Sequence, residues 1–234
     1  MHKIKCVLFD LGWTLVGPYS GDWFCSNTFL KMFPEEKYGS IHSEKWQDAF
    51  QKAYVPLKEQ PYMKDVQEQI RRHIIFYTDY VHYAGYDITP KQAEILATDI
   101  STNDDNMYLL DTAESTLQKL KEEGIRIGII SDTWPNIVSQ LKALNVDHYF
   151  DQISYSYQLG VLKPDPRIFQ DAIQKSGMKE NELLFIDDIP DNLYAAKEQG
   201  MHVLQSLAKP DSVLDPYFNG IEKPADVLEY LDIE

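Results

Sequence analysis

From Thr112 onward the chain alternates between two textures, and this alternation constrains its fold more than any other feature. TAESTLQKLKEEG, PNIVSQLKALNV, DPRIFQDAIQKSG and NLYAAKEQG place apolar residues three and four positions apart, the spacing of amphipathic helices. Between them stand short, nearly continuous apolar runs, IRIGIISD, ELLFIDD and MHVLQ, which read as strands; FDQISYS reads as strand or loop. A strand that is apolar on both faces needs cover on both faces. Helix and strand in turn therefore predict an α/β fold, a parallel sheet with helices on either side. An earlier run at 4–9, IKCVLF, reads as the first strand, PADVLEYLD as a last helix and SLAKPDSVLDPYFNG as a loop.

Residues 17–105 are different. GPYSGDWF is loop, and no good buried strand follows it. SEKWQDAFQKAYVPLKEQ, MKDVQEQIRRHIIFYTDYVHYAG and TPKQAEILATDIS all carry helical spacing. Thr89 before Pro90 predicts a helix start, and Gly85 predicts a stop. The expected organisation is an α/β core from residues 1–16 and 106–234, with an all-helical module, 17–105, inserted after the first strand.

Charge narrows the partners. Against 37 acidic side chains stand 22 basic ones, a net charge of −15. Such a surface does not neutralise duplex nucleic acid or an anionic membrane, yet a local positive pocket still admits a small phosphorylated substrate. No apolar run approaches the roughly 20 residues of a membrane span. The N-terminus enters a strand pattern without a signal peptide, so the expected location is cytoplasmic. Cys6 and Cys25 make no disulfide framework, and Cys6 reads as a core residue.

Open parallel sheets bind ligands beyond the carboxyl ends of their strands. Four polar groups fall there: Asp10, Ser131 with Asp132, Lys163, and the pair Asp187-Asp188. Adjacent carboxylates at a strand end repel, and a cation relieves the repulsion; the alternative is a turn in which they cap the next helix, as Asp191 and Asn192 also can. All-oxygen donors suit Mg²⁺, and the six histidines show no zinc spacing. Asp10 can be a nucleophile toward phosphorus or a metal ligand only. Ser131 can donate to a phosphate oxygen or start a helix. Lys163, set between GVL and two prolines, is either a fixed positive charge in the site or a solvated surface lysine. Thr14 is placed to orient Asp10, and Trp13 to pack on the inserted helices. The run FYTDYVHY lines a pocket or, as aromatic residues at helical spacing more often do, forms core; His73 and His82 read as structural.

Taken in order, FDLGWTL, IISDT, KPDPRIF and FIDDIPDN resemble the four motifs of the haloacid dehalogenase-like hydrolases, across nearly the whole chain. The resemblance implies a Rossmann-like core with a helical cap inserted after the first motif. It implies a nucleophilic aspartate at Asp10, a phosphate-binding hydroxyl at Ser131 and the family lysine at Lys163. It implies Mg²⁺ held by Asp10, the Gly12 carbonyl and Asp188, with Asp187 in or near the second shell. The departure is Gly12, where the family's phosphatases usually carry an aspartate as general acid and base. General acid–base catalysis is worth typically 10²–10⁴-fold. The implied activity is therefore a Mg²⁺-dependent phosphatase working through an aspartyl-phosphate, restricted to leaving groups that need little protonation. A binding or regulatory protein that has lost turnover is one alternative. A metal-independent 2-haloacid dehalogenase is the other; such enzymes lack the motif-one acid too, but also lack the acidic pair.

Overall fold

The computed structural model describes residues 4–233; residues 1–3 and 234 of the expected core lie outside them. The apolar run at its start forms β1 (Cys6–Phe9), followed by the short β2 (Val16–Pro18). Five helices come next: α1 (Asn27–Met32), α2 (Glu35–Tyr38), α3 (Glu44–Glu59), α4 (Val66–Tyr83) and α5 (Pro90–Thr102). The alternating part then runs β3 (Met107–Leu109), α6 (Ala113–Glu122), β4 (Arg126–Ser131), α7 (Ile137–Ala143) and β5 (Gln152–Tyr155). It continues with α8 (Ser156–Leu159), α9 (Pro166–Ser176), β6 (Leu183–Asp187), α10 (Pro190–Glu198), β7 (His202–Ser206), β8 (Gly220–Ile221) and α11 (Asp226–Tyr230).

Six strands make one sheet in the order β5-β4-β1-β6-β7-β8, and every pairing in it is parallel. Period-two alternation divides its apolar side chains between two cores. Cys6, Leu8, Ile130, Leu183 and Phe185 pack with Ile168 and Phe169 of α9 and Leu193 of α10. Val7, Phe9, Ile127, Ile129, Leu184 and Ile186 face the other way, toward Leu117 and Leu120 of α6 and Leu141 of α7. This is the Rossmann-like arrangement, and it explains why the strands read as unbroken apolar runs. Gly128 lets β4 sit close to its neighbours: a Cβ there would lie 2.6 Å from Gln152 Cγ and 2.7 Å from Leu8 Cδ2.

The structure adds strands that periodicity does not reveal. β2 and β3 pair antiparallel, Val16 opposite Leu109 and Pro18 opposite Met107, where the chain leaves and re-enters the sheet region. Three-residue strands are too short to carry an alternation signal. Gly220, at the end of the stretch expected to be loop, joins β8 beside β7.

Within the inserted segment the helix ends follow the chemistry of their residues. Thr89 and Gln92 form a reciprocal capping box with Pro90 in the first turn of α5. Asp65 caps α4, and Gly85 follows that helix with φ +75°. Phe76, Tyr77 and Tyr80 are buried core residues, packed with Trp46 and Phe29. Gln69 of α4 and Asn136, just before α7, exchange two hydrogen bonds (2.9 and 3.1 Å), and Asn136 Nδ2 also donates to the Ile100 carbonyl. These buried bonds fasten the inserted helices to the edge of the sheet that carries the polar strand ends. Among the described residues no helix is long and apolar enough to cross a membrane.

His73 is fully buried in α4; one ring nitrogen, Nδ1, bonds the Gln69 carbonyl and the other, Nε2, has no partner among the described residues. Burial lowers its pKa from 6.5 to about 4. The unfolded chain then takes up a proton between pH 6.5 and 4 that the folded chain refuses, so this residue's contribution to stability rises with pH across that window. The expected size is roughly 3 kcal/mol. Urea unfolding of wild type and His73→Phe at pH 7.5 and pH 4 checks it: wild type is expected to lose that much more stability than the variant.

Candidate active site

Parallel register brings the polar strand ends together. Phe9 pairs with Ile129 on one side and Ile186 on the other, so the next residues, Asp10, Ile130 and Asp187, stand side by side. The Asp10 N–H donates to the Ile186 carbonyl at 2.8 Å, which continues the ladder by one step. Ser131 closes β4 and Asp187 closes β6.

Lys163 enters this edge from the loop before α9. Its ammonium lies 2.7 Å from Asp10 Oδ1 and 2.6 Å from Asp187 Oδ2, and it donates to the Ile130 carbonyl at 3.2 Å. The side chain is 3% exposed, so this is a buried charge and not a solvated surface lysine. Burial opposes the charge, but Asp10 and Asp187 overcome it and raise the pKa above 10.5. The Lys163 backbone N–H donates to Asp132 Oδ1 at 3.0 Å, which fixes the loop. Asp132 is exposed at the cleft; crowding by the surrounding protein and the nearby Asp10 and Asp187 push its carboxyl to about 6, with Lys163 opposing.

The acidic pair divides its work. Asp187 is fully buried and accepts from Lys163, from the Ile189 N–H (2.8 Å) and from Asn192 Nδ2 (3.0 and 3.1 Å). Burial pushes it to about 6 while these donors favour its ionised form. Asp188 has no hydrogen-bond partner among the described residues. Burial first, then the charges of Asp10 and Asp187, raise it to about 7. Oxygens of Asp10, Asp187 and Asp188 all lie within 4.8 Å of one another. Three carboxylates and one ammonium leave an excess of negative charge at one point. Among the described residues the donors gathered here are all hard oxygens, so the set fits a Mg²⁺-type cation.

A cleft of about 400 Å³ opens over this cluster, lined by Asp10, Gly12, Ser131, Asp132, Lys163 and Asp188. The structure thus brings together every residue singled out for the site. The Ser131 hydroxyl has no partner among the described residues and faces this space. Two secondary expectations fail. Thr14 Oγ1 is buried without a partner, so it does not orient Asp10. Asn192 caps no helix: its amide holds Asp187 instead. Trp13 packs edge-on against Trp23 at 6.2 Å, in the loop before α1. It takes φ +53°, and its carbonyl accepts from Ser206 at 2.7 Å. Sequence reasoning missed Asn192 as a holder of Asp187, Ser206 and Trp23. A spacing of five residues across Pro190 could have suggested the first; nothing local points to the others.

An open parallel sheet with helices inserted after its first strand, and an acid-and-lysine cluster at its carboxyl edge, defines a class of α/β hydrolases. The chain belongs to the haloacid dehalogenase-like hydrolases, whose family model matches residues 7–205. Over 89 residues, 36% of this chain and 34% of the relative, it is 40% identical to the rhythmically expressed gene 2 protein of Drosophila melanogaster. Over 91 residues, 38% of each, it is 35% identical to the glyceraldehyde 3-phosphate phosphatase of Pyrococcus furiosus. The matches therefore span little more than a third of these relatives' length. Two solved structures share the fold along nearly their whole length. The L-2-haloacid dehalogenase of Xanthobacter autotrophicus has TM-score 0.71 and 14% identity, with 98% of each chain covered. The magnesium-bound HAD-hydrolase YfnB of Bacillus subtilis has TM-score 0.68 and 15% identity, with 99% of this chain and all of that one covered.

Proposed function

We propose that this hydrolase is a Mg²⁺-dependent phosphatase that acts on a small phosphorylated metabolite through an aspartyl-phosphate on Asp10. The observation that carries the reading is the disposition of charge: Lys163 clamps one oxygen of Asp10, while Asp188, without a hydrogen-bond partner among the described residues, lies with an oxygen within 4.8 Å of one of Asp10. The magnesium-bound relative of the same fold and the phosphatase relative agree with it. Residues 17–105 act as the cap over a core made of 1–16 and 106–234.

Asp10 Oδ1 is taken by Lys163, and Oδ2 has no partner among the described residues. Oδ2 forms the new bond to phosphorus as the bond to the leaving oxygen breaks, and that oxygen leaves with the electron pair. Ser131 donates its hydroxyl to one phosphoryl oxygen. Lys163 compensates the charge of the acyl phosphate. Water then cleaves the intermediate, releases phosphate and restores the Asp10 carboxylate. Asp10, Asp188 and the Gly12 carbonyl would hold Mg²⁺, with Asp187 beside them, and the bound ion would neutralise charge on the phosphoryl oxygens. Asp187 orients Lys163, because both its oxygens are already engaged with donors.

The test is phosphate release from acetyl phosphate, 4-nitrophenyl phosphate, sugar 1-phosphates and glyceraldehyde 3-phosphate, with Mg²⁺ and with EDTA. Removing the ion is expected to lower the rate at least ~100-fold. Asp188→Asn is expected to raise the Mg²⁺ concentration for half-maximal rate at least ~10-fold. No phosphate from any compound would overturn the reading. Labelled Asp10 without turnover would mark a regulatory protein, and halide release from 2-haloacids in EDTA a dehalogenase.

A further inference from the structure

Gly12 is not a conformational requirement, since its φ lies outside the left-handed region. What crowds a side chain there is Trp23. A Cβ at residue 12 would lie 3.1 Å from Trp23 Cζ2, 3.4 Å from Cε2 and 3.7 Å from the indole Nε1. The indole edge that carries the N–H therefore occupies the space beside the carbonyl-bearing turn that follows Asp10. That N–H has no acceptor among the described residues, and Trp23 lines the cleft. The loop that presents it is fixed: Asp22 Oδ1 accepts from the N–H groups of Phe24 (2.8 Å) and Cys25 (2.7 Å). Among the described residues no histidine lines the cleft, and of its acids Asp22 holds that turn through Oδ1 while Asp132 Oδ1 accepts from the Lys163 backbone. Aromatic side chains, Trp13, Phe24, Tyr54 and Trp134, form the wall around the same space.

We propose that Trp23 donates its indole N–H to the leaving oxygen, and that the cleft takes phosphate monoesters of aromatic hydroxyl groups. This rests on the phosphatase reading above. Indole holds its proton at any working pH, so Trp23 stabilises a departing anion but does not protonate it. Asp10 forms the bond to phosphorus, the phosphorus–oxygen bond to the ring breaks, and the electron pair leaves on an aryloxide. The aryloxide accepts the Trp23 hydrogen bond and later takes a proton from water. Aryl oxygen spreads the charge into its ring; alkyl oxygen cannot. The aromatic wall stacks on that ring.

The experiment compares wild type with Trp23→Phe on substituted phenyl phosphates that span a range of phenol acidity, with ethyl phosphate added. Wild type is expected to prefer phenyl over ethyl phosphate in kcat/KM by at least ~100-fold, the scale of a missing general acid. Trp23→Phe keeps an aromatic ring at the wall and removes the donor together with part of the indole bulk. Its loss is expected to grow with leaving-group pKa, to about tenfold on phenyl phosphate, so the plot of log kcat/KM against pKa becomes steeper. A thermal melt checks that the variant is folded, and kcat/KM is taken per folded protein, so the slope is the readout. Equal losses on every ester overturn the proposal, as does a flat wild-type dependence, which would mean that Asp22 or Asp132 protonates the leaving group. In both of those cases phosphate is released and the phosphatase reading stands. No release from any ester overturns both.

Discussion

Asp10→Asn is expected to lower Mg²⁺-dependent phosphate release by at least ~10⁴-fold while the protein stays folded. An amide oxygen is a poor nucleophile, so no aspartyl-phosphate forms. The same amide oxygen can still accept from Lys163, at the place where Asp10 Oδ1 now accepts at 2.7 Å. The fold thus keeps a partner for the buried ammonium. Rates on acetyl phosphate with 4-nitrophenyl phosphate as a second substrate, beside a thermal melt, separate the two effects. A variant that retains more than a hundredth of wild-type rate would mean that Asp10 only ligates metal.

Lys163→Met is expected to cost stability as well as activity. Methionine fills similar space without charge and leaves Asp187, fully buried, with no ammonium at 2.6 Å. Breaking a buried pair from one side typically costs about 3–5 kcal/mol. The sign of the pH dependence follows from which form of Asp187 survives burial. Its carboxyl already sits at about 6 with the lysine present, above the usual carboxylate value, and loss of the lysine pushes it further up. A group whose folded pKa is raised contributes its stability below the unfolded pKa, near 4, and loses it as pH rises through the folded pKa. The deficit of Lys163→Met relative to wild type is therefore expected to be small at pH 4 and full at pH 8. Denaturant melts at the two values measure it. Adding Asp187→Asn should recover part of the loss at pH 8, because the uncompensated charge is then gone. A deficit that does not change with pH would show that packing, and not charge, is what the lysine supplies.

Much of this was legible in the residues. Continuous apolar runs dictated β1, β4, β6 and β7, because only a sheet covered on both faces hides such strands. Thr89-Pro90 and Gly85 announced helix ends through local hydrogen bonding and backbone freedom, which need no distant partner. Asp10, Ser131, Asp187 and Asp188 could be placed at one edge because strand ends are local features, and the carboxyl edge of a parallel sheet is where such ends converge; Lys163 stands in a loop before α9.

The sequence by itself could not say how each polar atom is used. Whether Lys163 is buried depends on two carboxylates, one 153 and the other 24 residues away, and only the register of β1 with β6 sets them side by side. That register also splits the acidic pair, turning Asp187 toward Lys163 and Asn192 and leaving Asp188 for the cleft. Thr14 misled for a related reason: its backbone bonds to nearby Leu11, yet its hydroxyl is buried without a partner among the described residues, which only the packed chain shows. The meaning of Gly12 lies in Trp23, which reaches it from the loop before α1. Propensities and periods are written in neighbouring residues, whereas hydrogen-bond partners and close approaches arise where distant segments meet, and only the packed chain decides which atoms those are.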